Sequence, residues 1–257
     1  MHLSLIGRFV AILLALGTLV GTVSVARADD ASEAPTPYDP TSRYEAQTLE
    51  GWRVLVNRNL FEDAALAEPT LTLLRHQLYQ VARVIPAPAL EKLRQVTIWV
   101  EKDEPHHPCM AYHPDAGWLR EHDMNPEKAR CVEVANAETF LSWTRAQPWM
   151  VLHELAHAYH HQFLDRGFEN PEVQAAFRNA KDQDLYHRVL HIDGNKRQAY
   201  ATTNPMEYFA ETAEAYFGTN DFFPFVRSEL QELDPAGYQM HARLWRAEVD
   251  APPADTR

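Results

Sequence analysis

The chain reads as an α+β domain, a small sheet followed by a mostly helical half. Three observations carry this reading. Runs rich in β-branched and aromatic residues fall early, at Trp52–Val56, Val96–Val100 and Cys131–Val134. Between the first two, Leu71–Val84 repeats apolar residues at helical spacing. From Ala137 onward the strand signals stop and helical segments follow one another, the pattern of segregated α+β folds.

Taken in order, residues 1–28 read as a signal peptide. Arg8 gives a basic start, Phe9–Val20 is nearly all apolar, and Ala26-Arg27-Ala28 is a small-x-small cleavage site. The competing reading, an uncleaved anchor, meets an apolar run somewhat short for a span and no stop-transfer pattern. Export, to the periplasm or beyond, is therefore expected, with no membrane attachment after cleavage. Residues 29–47 are polar and Pro-rich and read as a flexible leader. The domain is expected over 48–250, with 251–257 a loose tail.

Within the domain, His106–Asn125 is irregular and rich in histidine. His106, His107, Cys109 and His113 are possible ligands by type, but their spacings match no zinc pattern, so the segment reads as a surface loop. Ala137 to about Ala146 reads as a helix. Pro148 opens the next, which runs to about Arg166 with Gly167 as its stop. Asn170-Pro171 and Asn204-Pro205 start two more, the latter ending near Phe217-Gly218. A last helix covers roughly Ala236–Val249. Phe222, Phe223 and Phe225 read as core more than as a specificity wall.

Composition narrows the function. The formal charge is −12 over 257 residues, and losing Arg8 and Arg27 with residues 1–28 leaves 229 residues at −14. Such a domain repels nucleic-acid backbones and anionic membranes. Its length suffices for a core without staples. Cys109 and Cys131 are its two cysteines, and in an exported chain they are expected to form a disulfide, worth about 3 kcal/mol for a loop of that length.

The chemistry lies in WMVLHELAHAYHHQFL, residues 149–164. Residues i and i+4 of a helix lie one above the other, so His153 and His157 point the same way and can share a metal ion. Glu154 sits beside them, within reach of a water on that ion. The flanking Val151, Leu152, Leu155, Ala156 and Ala158 are apolar, and charge in such a helix is costly unless paired or metal-bound. A catalytic zinc needs a third protein ligand and an open position. His161 lies two turns and roughly 12 Å along the axis from His153, too far to share the ion. The metzincin extension needs Gly at 160 and His at 163, where the chain has His160 and Phe163. A glutamate from a later helix remains. In YATTNPMEYFAETAEAYF, residues 200–217, Glu207, Glu211 and Glu214 share one face. Glu207 could instead close a capping box with Asn204, and Glu214 could be solvated. Spacing alone leaves Glu207 and Glu211 even.

These two segments, 149–166 and 200–217, resemble the catalytic domain of anthrax lethal factor and its relatives, zinc metallopeptidases of the gluzincin type. The resemblance implies a zincin-like fold with a small sheet packed on the active-site helix. It also implies one catalytic Zn²⁺ held by His153, His157 and Glu207. A water fills the open position with Glu154 as general base, Tyr200 helps the oxyanion, and Glu211 supports a ligand histidine from behind. The region before residue 149 does not resemble lethal factor, so its substrate selectivity does not carry over. A looser resemblance, from about Gly51 to Pro235, links the chain to uncharacterised secreted bacterial metallopeptidase-like proteins. The expected function is an exported zinc metallopeptidase acting on peptides or proteins. The alternatives are a zinc-binding or morphogenetic protein without proteolysis, and a zinc hydrolase of another amide, such as one in the cell wall.

Overall fold

A computed structural model describes residues 36–246. The expected signal peptide, the first part of the leader and the tail lie outside the described residues. The architecture is α+β, a five-stranded sheet followed by a helical half, with strand order β1-β2-β3-β5-β4.

Strand β1 (Tyr44–Leu49) and β2 (Trp52–Asn57) form an antiparallel hairpin. Its two turn residues, Glu50 (φ 50°) and Gly51 (φ 93°), both take the left-handed conformation that suits a two-residue hairpin loop. Ordered structure thus begins inside the stretch expected to be a leader. Only Tyr44 and Leu49 of β1 are buried, so this edge strand shows no apolar alternation in sequence. A short helix α1 (Arg58–Phe61) leads to α2 (Ala64–Val84), which starts well before Leu71 because the Asp63 carboxylate caps it by accepting from the Leu66 N–H.

After α3 (Ala87–Leu93) comes β3 (Ile98–Val100), parallel to β2. The segment expected to be a surface loop contains β4 (Met110–Tyr112) and the short helix α4 (Ala116–Glu121). Strand β5 (Val132–Val134) inserts between β3 and β4, parallel to the first and antiparallel to the second. The alternation of each central strand splits its side chains between two faces. Val54, Val56, Ile98, Val100, Val132 and Val134 join the main core with Leu74 and Leu78 of α2. Leu55 and Trp99 pack with Tyr44 on the other face.

The expected disulfide is absent: Cys109 and Cys131 are both free. Met110 pairs with Val134 and Tyr112 with Val132, so the cysteines flank opposite ends of the β4–β5 ladder. Four residues of strand put them roughly 13 Å apart. A bridge needs Cα atoms within about 7 Å.

The helical half comprises α5 (Ala137–Trp143), α6 (Met150–Phe163), α7 (Pro171–Asp182), α8 (Pro205–Phe217), α9 (Arg227–Leu233) and α10 (Pro235–Leu244), with a two-stranded ribbon of β6 (Val189–Leu190) and β7 (Lys196–Arg197) between α7 and α8. Helix α6 is buried almost throughout, with Val151, Leu152, Leu155 and Ala156 in the main core. It ends at Phe163, and Gly167 takes φ 53° just beyond, where a Cβ would lie 2.7 Å from the His161 carbonyl oxygen. Helix α8 packs along α6. Its start is fixed by Asn204, whose side chain accepts from the Met206 and Glu207 N–H groups at 2.9 Å each.

Candidate metal centre

Two crossing demands build the site. Helix α6 must bury its apolar flanks, which aims His153 and His157 at the one open side, and the Asn204 cap sets the first turn of α8 beside them. Glu207 does not close a capping box. Its carboxylate Oε2 lies 3.1 Å from His153 Nε2 and 3.3 Å from His157 Nε2. Burial alone would raise the Glu207 carboxyl, but contacts with the two imidazoles hold it well below the usual range. The three ligand atoms lie within 4.8 Å of one another. Zinc bonds of about 2.0–2.1 Å in a tetrahedron place ligand atoms roughly 3.3 Å apart, so both measured separations fit that ion.

These residues line a cleft of about 860 Å³, together with Glu154, Tyr200 and the three residues of β4. Strand β4 is the sheet edge here. Strand β5 is interior because β4 covers it. Tyr200 opens a short 3-10 turn, Tyr200–Thr202, and is 49 % exposed. Its ring stands 6.5 Å from that of His153. Burial and the nearby Glu207 carboxylate push its phenol up, which keeps the hydroxyl a donor. Cys109 also lines the cleft. Its thiol, 3.3 Å from Met150 Sδ, is pushed up to about 12 by burial and then by the Glu154 carboxylate, so it stays protonated.

On the far side of His153, its Nδ1 lies 2.8 Å from Glu214 Oε1, whereas Glu211 Oε1 is 3.9 Å away. The carboxylate that touches the histidine is therefore Glu214 and not Glu211, the residue expected to support it; Glu214, for which the sequence also allowed a solvated face, is fully buried. A usable signal was present: Glu214 stands among Ala210, Ala213, Ala215 and Tyr216, where an exposed face would show more polar residues.

The other histidines stand apart. His113 pairs with Glu133 at 2.6 Å on the opposite face of the sheet, where Lys128 also contacts Glu133. His106 pairs with Glu104 at 2.5 Å. His107 lines the cleft and packs on His113 and Trp118. Of the three phenylalanines, Phe222 lines the cleft and packs against the core at once.

No protein-family model matches the chain, and no curated protein matches it. A Pro-Pro endopeptidase from Paenibacillus alvei is similar in structure at 19 % identity and a TM-score of 0.38, over 77 % of this chain and 99 % of that one. A likeness so distant does not bear on chemistry. Among the described residues no helix is long and apolar enough to cross a membrane.

Proposed function

We propose that the chain is an exported zinc metallopeptidase. One observation carries the reading: two imidazole nitrogens and one carboxylate oxygen converge at separations suited to zinc, on the wall of an open cleft that also holds a carboxylate and a phenol. The resemblance to the lethal factor group supports the same assignment, and export rests on the sequence of residues 1–28.

His153, His157 and Glu207 would hold the ion. Bound there, zinc supplies a Lewis acid that polarises a carbonyl and lowers the pKa of water. Glu154, on the same helix and facing the same cleft, takes the proton of the attacking water and passes it to the leaving amine. Tyr200, protonated and facing the cleft, donates to the oxygen on which negative charge develops. Glu214 accepts from His153 Nδ1, which leaves Nε2 unprotonated and directed at the ion. Glu211, one turn from Glu207, stands behind this pair. Strand β4 is the edge against which an extended peptide would lie.

The test is cleavage of a diverse peptide library by residues 29–257, beside Glu154→Gln, with zinc measured on both. Cleavage by the wild type alone at equal zinc content is expected. Equal zinc with no cleavage by either would overturn the peptidase reading and favour another amide or a binding role.

A further inference from the structure

The helix that carries two of the candidate metal ligands holds a further histidine, His161, one turn past His157 and too far from His153 to share its ion. It meets the opposite wall of the cleft instead. Its Nδ1 lies 2.8 Å from the hydroxyl of Tyr112, the last residue of β4. Its ring stacks on Phe168, with centroids 4.6 Å apart and planes 12° from parallel, which fixes its direction. Phe168 also meets the Tyr112 ring edge-on at 6.5 Å. Burial, then the Arg130 guanidinium, lowers the His161 imidazole, and burial raises the Tyr112 phenol. That leaves a neutral ring to accept and a protonated hydroxyl to donate.

Tyr112 makes this contact from the strand that faces the cleft. The Cys109 carbonyl accepts from the Ala135 and Asn136 N–H groups, the His113 N–H donates to the Cys131 carbonyl, and the His113 carbonyl accepts from the Arg130 N–H, all on the β5 side. Residues along an antiparallel strand alternate in the direction of their backbone groups. Those of Cys109, Ala111 and His113 therefore point to β5, and those of Met110 and Tyr112 point to the free edge, where an extended peptide would pair. The strand is three residues long. Two side-chain hydrogen bonds tie this segment to α6, Cys109 Sγ with Met150 Sδ at 3.3 Å near the helix start and Tyr112 with His161 near its end. The first joins a weak donor to a weak acceptor, so the second is the firm one.

We propose that His161 is a positioning residue for peptide binding: through Tyr112 it holds the free edge of β4 at a set distance from the metal ligands. The inference rests on the peptidase reading of the cleft. His157 and His161 share one face of α6, about 6 Å apart along its axis, so a single helix sets both the ligand nitrogens and the strand against which substrate lies. Tyr112 joins the two roles in one residue, its backbone turned to the substrate and its side chain to the helix. A peptide paired with the Tyr112 backbone has its placement over the ion set by His161. Without the bond, the short strand is free to move away from α6, and binding must order it at a cost in affinity.

The experiment uses zinc-loaded residues 29–257 with Tyr112→Phe, His161→Phe and the double variant. Hydrogen exchange without substrate reads the anchor alone. The Ala111 and His113 amides, which bond β5, should exchange roughly three- to tenfold faster in each single variant. The double variant should be no faster again, because the same bond is lost in all of them. Kinetics on a peptide that the wild type cuts then read the positioning. KM should rise by roughly three- to tenfold, more than kcat falls, at equal zinc content. If His161→Phe does not fold, Tyr112→Phe, which removes only a hydroxyl, decides by itself. Unchanged exchange at Ala111 and His113 would overturn the proposal whether or not the wild type cuts. Faster exchange with KM unmoved, or with a fall in kcat alone, would leave a merely structural bond and overturn it as well. A wild type that cuts no peptide at full zinc content would sink the peptidase reading and the peptide-binding role with it, while the exchange rates still show whether the anchor exists.

Discussion

Acid should destabilise this domain through two histidines outside the ligand set. His160, on α6, is fully buried against Phe168 and Phe209, and neither ring nitrogen has a hydrogen-bond partner among the described residues. His241, on α10, is equally buried, with Nε2 2.8 Å from Thr212 Oγ1 and Nδ1 accepting from Trp245 Nε1 at 3.1 Å. Burial first, then neighbouring histidines, pushes each imidazole down to about 3. An unfolded histidine takes its proton near 6.5. Below that pH the unfolded state gains protons that the folded state refuses, so stability present above pH 6.5 is lost as pH falls toward 3. Between pH 7 and pH 5 the loss is about 2 kcal/mol per histidine, or about 4 kcal/mol for the two. His160→Phe removes one of these groups together with its unsatisfied nitrogens. It should stabilise at pH 7 by about 1–3 kcal/mol, less any strain from the larger ring, and reduce the acid loss between pH 7 and pH 5 by about 2 kcal/mol. Urea unfolding of wild type and variant at both pH values gives the four free energies required. Zinc release on acidification affects both proteins alike and cancels in the comparison. Equal acid losses in the two proteins would refute the claim that His160 is held neutral in the fold.

Four further outcomes are expected. Glu207→Ala should abolish zinc binding, as read by metal analysis, and retained zinc there with loss in Glu211→Ala would exchange the two roles. Glu214→Gln should weaken zinc by roughly 10–100-fold in a competitive chelator titration, because His153 loses its charged acceptor. Tyr200→Phe should keep zinc and lower turnover by roughly ten- to a thousandfold, and unchanged turnover would remove Tyr200 from the mechanism. Ellman titration of the unreduced, denatured protein should find two thiols, since the strand register holds Cys109 and Cys131 apart, whereas zero would mean a rearranged sheet.

What was legible in the chain divides along a physical line. His153, Glu154 and His157 could be read together because a site able to hold an ion restricts both residue type and helical spacing, and both survive in one dimension. The α+β order was legible for the same reason, since strand and helix periodicities are local. Strand β1 was not, because an edge strand buries only its two ends and leaves no alternation to find. The disulfide expectation failed on a quantity the sequence does not contain: loop length sets the entropy of closure, while the β4–β5 register sets the distance between the ends. Glu207 and Glu211 were indistinguishable because positions four apart share a helix face. What separates them is depth: Glu207, in the first turn of α8, reaches the cleft, and Glu211 lies a turn further into the protein.

Glu214 shows where the same reasoning could have gone further. An acid on a helix whose flanking residues are small and apolar has no solvated face to occupy, and its charge needs a partner of its own. That partner is His153, whose Nδ1 lies 2.8 Å from Glu214 Oε1.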